Sequence, residues 1–429
     1  MGDVLTAYGG QMCARRKRFV KHIIILGDGM SDLPIAALDG KTPLQAAVKP
    51  HMDRLAREGF AGLVQTIPEG MTPGSDTANM SVMGFDPRIY YTGRSPLEAI
   101  SMSIEMEPED VAFRCNLVTL SEGAEYADRV MVDYSSDEIG SDEAARLIEE
   151  INRHFESQAF RYYPGKSYRH CLIWKKGHTK MSLVPPHDIL TRVIGQYLPS
   201  GPDSAQLLSM MVQSTSILDK HPVNQARHRR KLNKANSIWI WGQGTKPQLP
   251  EISTSFALSG SVISAVDLIN GLGICAGLHV VDVPGVTGNI HTNFDGKAQA
   301  AINELSRGRD YVYLHVEAPD ECGHRAEIAN KVRSIELIDH HIVGPVRAWL
   351  EQHRQKTGED FRILVLPDHA TPLDLRTHTA DPVPFVCYSS DGREVLPALS
   401  YDEVCCQQTG YFLEEGPTLF ARFVRDGFV

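Results

Sequence analysis

Short apolar, β-branched runs alternate with segments of helical periodicity at both ends of this chain. Lys21 to Leu26 (KHIIIL) is a short, largely apolar, β-branched run that stops at Gly27-Asp28-Gly29, the pattern of a buried parallel strand that ends in a loop. Pro50 to Glu58 reads as a helix closed by Gly59, and Ala61 to Ile67 as a second strand leading into the Gly/Pro-rich loop 68–74. Beyond that loop the pattern turns helical, with Ser75 placed like an N-cap and Asp76 in the first turn. Toward the other end, Asp310 to Val316 (DYVYLHV), Phe361 to Leu366 (FRILVL) and Val383 to Tyr388 are strand-like, and Ile328 to Gln352 is one long amphipathic helix. The alternation predicts an α/β fold with a mostly parallel sheet flanked by helices.

The middle differs in texture. From about Tyr91 to Thr254 it carries turn-rich breaks such as Pro164-Gly165, Pro185-Pro186 and Pro199 to Pro202, and a basic run from Arg227 to Lys231. This predicts an α/β cap, 91–254, inserted into a discontinuous domain of residues 20–90 and 255–429. Residues 1–19 read as a tail whose stretch Arg15-Arg16-Lys17-Arg18 is solvated, since no apolar run and cleavage site follow it.

With 429 residues, 42% of them hydrophobic, the chain can bury two cores. Its 43 Lys+Arg against 53 Asp+Glu give a net charge of −10, which argues against a nucleic-acid partner and requires local arginines for any anionic substrate. No apolar stretch has the length of a membrane span. The eight cysteines form no C-x-x-C pair, which disfavours a zinc ribbon or a disulfide scaffold and fits a reducing cytoplasm.

The candidate chemistry falls at the ends of the predicted strands. Asp28 ends the first; Asp320 and His324 follow DYVYLHV as D-x-x-x-H; Asp368-His369 follow FRILVL; His378 lies in Thr377-His378-Thr379. Taken singly each has a plain structural reading: a turn aspartate, a surface ion pair, a helix-capping serine. Together they place three Asp and three His at the edge where parallel sheets collect ligands. That mixture suits Mn- or Zn-type ions, and six ligands suit two of them, a clamp for phosphoryl displacement with Ser75 as the attacking group.

The chain resembles the alkaline phosphatase superfamily, and within it the archaeal-type phosphoglycerate mutases that work without bisphosphoglycerate. The motifs that carry the resemblance include ILGDGMSD (25–32), GMTPGSDTANMSVMGFDP (70–87), YYTGRSPLEA (90–99), YRHCLIW (168–174), HVEAPDECGH (315–324) and VLPDHATPLDLRTHTADPVPF (365–385). The resemblance implies an alkaline-phosphatase-like fold in which Asp28, Ser75, Asp368 and His369 hold one divalent metal and Asp320, His324 and His378 the other. Manganese is the expected ion, with zinc, cobalt or magnesium as alternatives. It also implies that 3- and 2-phosphoglycerate interconvert through a phosphoserine, with the inserted lobe retaining glycerate. Arginines suit that task, because their planar fork grips carboxylate and phosphate. The candidates are Arg94, Arg114, Arg169 and Arg227, with His170, His187 and Asp188 as proton carriers for the glycerate hydroxyls. Where relatives tend to read AVDLIKGIG, this chain has Asn270 in AVDLINGLG, with Lys297 as a conceivable substitute for the missing ammonium. A homoserine kinase-like phosphotransferase or a metal-dependent phosphatase of the same superfamily is the competing expectation, because a metal site alone does not choose the acceptor.

Overall fold

The computed structural model describes residues 20–392 and 394–428, and the predicted tail 1–19 lies outside the described residues. Among the described residues thirteen strands, β1 to β13 in chain order, form two sheets. The larger sheet contains β1 (Val20–Gly27), β2 (Phe60–Val64), β8 (Gly260–Ile263), β9 (His279–Val280), β10 (Tyr311–Val316), β11 (Asp360–Leu366), β12 (Val383–Ser389) and β13 (Phe412–Leu413), in the order β13-β2-β12-β11-β1-β10-β8-β9. Only β12 runs antiparallel to its neighbours. No crossover helix separates it from β11, so the chain turns back along the same edge. The predicted mostly parallel sheet is therefore present, with one reversed strand.

The uninterrupted apolar runs follow from two-sided burial. Ile23 and Ile25 of β1 join Val312, Leu314, Ile363 and Val365 on one face. Ile24 and Leu26 join Tyr313, Leu364 and Leu366 on the other. A period of two on a sheet covered on both sides makes most positions of these strands apolar.

A second sheet is built from β3 (Val111–Leu120), β4 (Met131–Asp133), β5 (Phe160–Tyr163), β6 (Arg169–Trp174) and β7 (Ser237–Thr245), all paired antiparallel around β3. It has its own apolar cluster, in which Phe113, Leu117, Leu172 and Ile240 pack on Leu147 and Ile148 of the helix Ser141–Phe155 and Leu207 and Met211 of the helix Ser204–Asp219. All five of its strands fall within residues 111–245.

Two predicted helices differ in detail. The span 328–352 is not one regular helix: Ile328–Ile338 and Gly344–Thr357 are joined by a π turn, Asp339–Val343. Pro345 has no N–H to continue the ladder, and Asp339 accepts hydrogen bonds from the backbone N–H groups of His51 (3.2 Å) and Met52 (2.6 Å) at the head of the helix Pro50–Glu58. Ser75 is the first residue inside its helix, Ser75–Val82, and Gly74 takes the cap position. The serine hydroxyl therefore does not cap the helix.

Candidate active site

Three adjacent parallel strands, β11, β1 and β10, end side by side. Asp368 and His369 follow the first, Asp28 the second, and the short helix Ala318–His324, bearing Asp320 and His324 one turn apart, the third. His378 comes from the β11–β12 connection, which is folded back by a bridge between Ala370 and Thr379. A side chain at Gly29, whose φ is +62°, would put its Cβ 2.6 Å from Thr371 Oγ1 and 2.8 Å from Asp320 Oδ1, so the close approach of these loops needs glycine there.

The seven predicted metal-site residues meet in two groups. Around His369 Nε2 lie Ser75 Oγ at 3.2 Å, Asp368 Oδ2 at 3.3 Å and Asp28 Oδ1 at 3.5 Å. In the second group His324 Nε2 lies 3.2 Å and His378 Nε2 3.4 Å from the Asp320 oxygens, and the two imidazole nitrogens face each other at 2.9 Å. Asp28 and His369 are fully buried, and Ser75 is 8% exposed.

The electrostatics call for cations. Burial, then the charges of Asp368, Glu317 and Asp320, push Asp28 well above the usual carboxylate range, and its Oδ1 has no hydrogen-bond partner. Burial and Asp320 push Glu317 up to about 7. Burial also opposes ionisation of Asp320, but hydrogen bonds from His324 and His378 outweigh it and hold that group well below its ordinary value. His324 is raised to about 9, chiefly by its hydrogen bond to Asp320. Converging carboxylates and imidazoles with an orphaned oxygen among them fit divalent ions of the borderline type.

Sequence reasoning missed the residues behind this centre. Asn79, one turn beyond Ser75, donates to Asp368 Oδ2 at 2.7 Å and accepts from Tyr313 Oη at 2.5 Å. His315 sits between Ser264 Oγ (3.1 Å) and Asp28 Oδ2 (2.9 Å). Burial holds its ring neutral, so Nε2–H donates to Asp28 while Nδ1 accepts from the serine. Asp28, His315 and Glu317 form a further cluster of potential ligand atoms. The only available signals were the i, i+4 spacing of Ser75 and Asn79 and the polar His315 inside an otherwise apolar strand.

A cleft of about 610 Å³ opens between the two sheets' helices and loops. Arg94, Arg114, Arg169 and His170 line it from one side, and Asp267, Glu317, Glu321 and Arg325 from the other. Glu98 joins Arg94 Nε (3.0 Å) and Arg114 Nε (2.7 Å), and Arg114 also stacks on Trp241 at 4.8 Å. His187 packs edge-on against the same tryptophan at 5.3 Å and lies 3.6 Å from Asp188; both side chains are about half exposed, and neither lines this cleft.

Two expectations change here. His170 accepts from the Gly165 N–H at Nδ1 (3.0 Å), and burial lowers its pKa to about 3. It is thus a neutral donor through an otherwise unpartnered Nε2–H, not a proton carrier. Arg227 is not on the cleft: it is 2% exposed and bonded to Glu143 (2.7 Å) and to the carbonyl oxygens of Ser136 (2.6 Å) and Asn233 (2.8 Å), tying the second lobe together. Sequence could not distinguish a buried arginine from an exposed one in a basic run. Lys297 is also fully buried, donating to the His315 carbonyl oxygen at 2.6 Å, and neither it nor Asn270 lines this cleft.

Fold and centre define a class, the α/β proteins that gather sets of potential metal ligands at the ends of a mostly parallel sheet. A family model described as 2,3-bisphosphoglycerate-independent phosphoglycerate mutase matches residues 56–224. A Geobacter sulfurreducens protein named "Probable 2,3-bisphosphoglycerate-independent phosphoglycerate mutase" is 48% identical over 401 residues, covering 92% of this chain and 98% of its own. A Methanothrix thermoacetophila protein with the same name, without the qualifier, is 47% identical over 400 residues, covering 93% and 98%. The solved structure of the PH0037 protein from Pyrococcus horikoshii matches with a TM-score of 0.78 at 26% identity, covering 95% of this chain and 97% of that one. The chain belongs to the 2,3-bisphosphoglycerate-independent phosphoglycerate mutase family. These relatives do not favour the kinase or phosphatase alternatives.

Proposed function

We propose that the protein interconverts 3-phosphoglycerate and 2-phosphoglycerate in the cytoplasm through a phosphoserine at Ser75. The reading is carried by one observation: a serine at the head of a helix, 3.2 Å from a buried histidine, within two converging sets of Asp and His. Asp28, Ser75, Asp368 and His369 would hold one divalent ion and Asp320, His324 and His378 a second, Mn²⁺ being the ion this donor mixture suits. Such ions, when bound, supply positive charge that lowers the serine pKa and offsets charge on the transferring phosphoryl oxygens.

Ser75 Oγ gives up its proton as it attacks phosphorus, the bond from phosphorus to O3 of the glycerate breaks, and O3 takes up a proton as it leaves. The N–H groups at the head of the helix face the phosphoryl group now on Ser75. Glycerate turns within the cleft while Arg94, Arg114 and Arg169 hold its carboxylate and the neutral His170 donates from Nε2–H. Its O2 then attacks the phosphoserine, loses its proton, and releases Ser75 Oγ. Residues 91–254 act as the cap that keeps glycerate from exchanging with water.

Phosphorus NMR of the protein with Mn²⁺ and 3-phosphoglycerate tests this directly. Wild type should form 2-phosphoglycerate with little inorganic phosphate, whereas Arg169→Ala should raise the ratio of inorganic phosphate to 2-phosphoglycerate. Release of phosphate alone by the wild type would overturn the mutase reading.

A further inference from the structure

Between the two groups of metal-site residues lies one hydroxyl. Thr371 is fully buried, two residues after His369. Its Oγ1 is 2.5 Å from Asp320 Oδ1, in one group, and 3.2 Å from His369 Nδ1, in the other. A hydroxyl carries a single hydrogen. An ionised carboxylate can only accept, so that hydrogen goes to Asp320 and the hydroxyl oxygen accepts from Nδ1–H of His369. Nε2 is then the unprotonated nitrogen, and it is this atom that faces Ser75, Asp28 and Asp368.

The position of the hydroxyl is fixed from behind. The Thr371 N–H donates to the Ser31 carbonyl oxygen at 3.2 Å, and its own carbonyl accepts from Lys331 Nζ at 2.8 Å. The Lys331 ammonium, fully buried, also binds Asp32 Oδ2 at 2.7 Å, and Asp32 accepts from the Leu373 N–H at 3.2 Å. This pair ties the loop after β1 to the loop after β11. A Cβ at position 29 would stand 2.6 Å from the same hydroxyl, so glycine there leaves the hydroxyl its place.

We propose that Thr371 is a positioning residue that couples the two half-sites: it fixes His369 as the Nδ1–H tautomer, baring Nε2 for one ion, and with the same hydroxyl orients Asp320 for the other. The proposal rests on the two-ion reading above. It makes a single side chain responsible for both affinities, since an outer hydrogen bond to a ligand typically changes metal affinity by about 10–100-fold.

Two measurements test it, and neither is turnover. In metal-free protein labelled with ¹⁵N-histidine, the ring nitrogen shifts report which His369 nitrogen is protonated; Nδ1–H is expected, and Nε2–H would overturn the proposal without any variant being made. Equilibrium dialysis against Mn²⁺, with electron paramagnetic resonance of the bound ions, compares wild type with Thr371→Val and Thr371→Ser. The isosteric Val should lower affinity at both positions by about tenfold or more and weaken the coupling between the ions, and Ser, which keeps the hydroxyl, should restore both. Wild-type affinities in Thr371→Val, or a Ser variant that behaves like Val, would sink the coupling role. Wild type binding fewer than two ions would instead sink the two-ion reading itself.

Discussion

Glu98→Gln isolates the arrangement that keeps two arginines side by side on the cleft. In the folded protein the carboxylate is held down at about 2 rather than 4.5: burial works against ionisation, and the Arg114 and Arg94 charges and hydrogen bonds outweigh it. That difference corresponds to about 3 kcal/mol of preference for the charged form. The side chain is still 22% exposed, so solvent screens part of it and about 2 kcal/mol is the reasonable expectation for the loss. The sign follows from linkage: a depressed carboxylate stabilises above about pH 4.5, and its contribution fades as the pH falls toward 2, so the gap between variant and wild type should narrow in acid. Three of the four tryptophans, Trp174, Trp239 and Trp241, lie on β6 and β7, and Trp241 stacks on Arg114 itself. Intrinsic fluorescence during thermal melting therefore reports mainly on this lobe. A loss of about 2 kcal/mol should lower its midpoint by roughly 4–8 °C for a lobe of this size. Glu150→Gln, which removes a partner of the 70%-exposed Arg153, is the control and should change stability by no more than about 0.5 kcal/mol. A Glu98→Gln midpoint within a degree of wild type at pH 7 would refute the idea that this carboxylate holds the arginine pair.

Other outcomes follow from the same geometry. Ser75→Ala should abolish phosphoryl transfer with the fold unchanged, checked by mass spectrometry for a phosphoserine trapped from 3-phosphoglycerate; a phosphoryl group trapped on another residue would contradict the assignment. His378→Ala should lose about one ion per chain and respond poorly to added Mn²⁺ after EDTA treatment; elemental analysis giving wild-type stoichiometry would count against the second ligand set. His170 stays neutral in the folded protein down to about 3 but charges near 6.5 once unfolded, so it favours unfolding increasingly as the pH drops below 6.5. By pH 5 this costs about 2 kcal/mol, which denaturant titrations should detect as a difference in pH dependence between wild type and His170→Gln.

What sequence could reveal depended on whether a residue's role was local. Asp28, Asp320 with His324, and Asp368 with His369 each follow an apolar run, so their place at strand ends was legible before their neighbours were known. The reversal of β12 was not, because an apolar strand carries no mark of direction. The π turn at Asp339 depends on a contact with His51 and Met52 almost three hundred residues away. His315 stood out only as a polar residue in an apolar run, and nothing near Thr371 marked its bond to Asp320, because a hydrogen bond between segments distant in sequence has no local signature. The arginines show the same limit from the other side: Arg94 and Arg227 have the same chemistry, and only tertiary packing puts one on the cleft and the other among Glu143 and backbone carbonyls.

Ser75 and the first cleft arginine are also tied together by a hydrogen bond between nearby stretches of chain. Asp76, next to Ser75, accepts from Tyr91 Oη at 2.6 Å, and Tyr91 is three residues before Arg94, which opens the helix Ser95–Ser101 carrying Glu98. The return passage of the chain is held at the same place: Thr92 Oγ1 donates to the Thr245 carbonyl oxygen at 2.5 Å, and Ser95 Oγ donates to that of Gly242. At this crossing Gly93 and Gly244 pack backbone to backbone; a Cβ on either would lie 3.1 or 3.0 Å from the other's Cα. Both passages between the lobes thus meet at residues 91–95 and 242–245, beside the first cleft arginine, and Tyr91 ties this meeting point to the residue next to Ser75. An enzyme that must retain an uncharged-hydroxyl acceptor while excluding water gains from such placement, because the groups that bind the acceptor are referenced to the attacking oxygen through one short, hydrogen-bonded stretch of backbone rather than through the breadth of two separately packed cores.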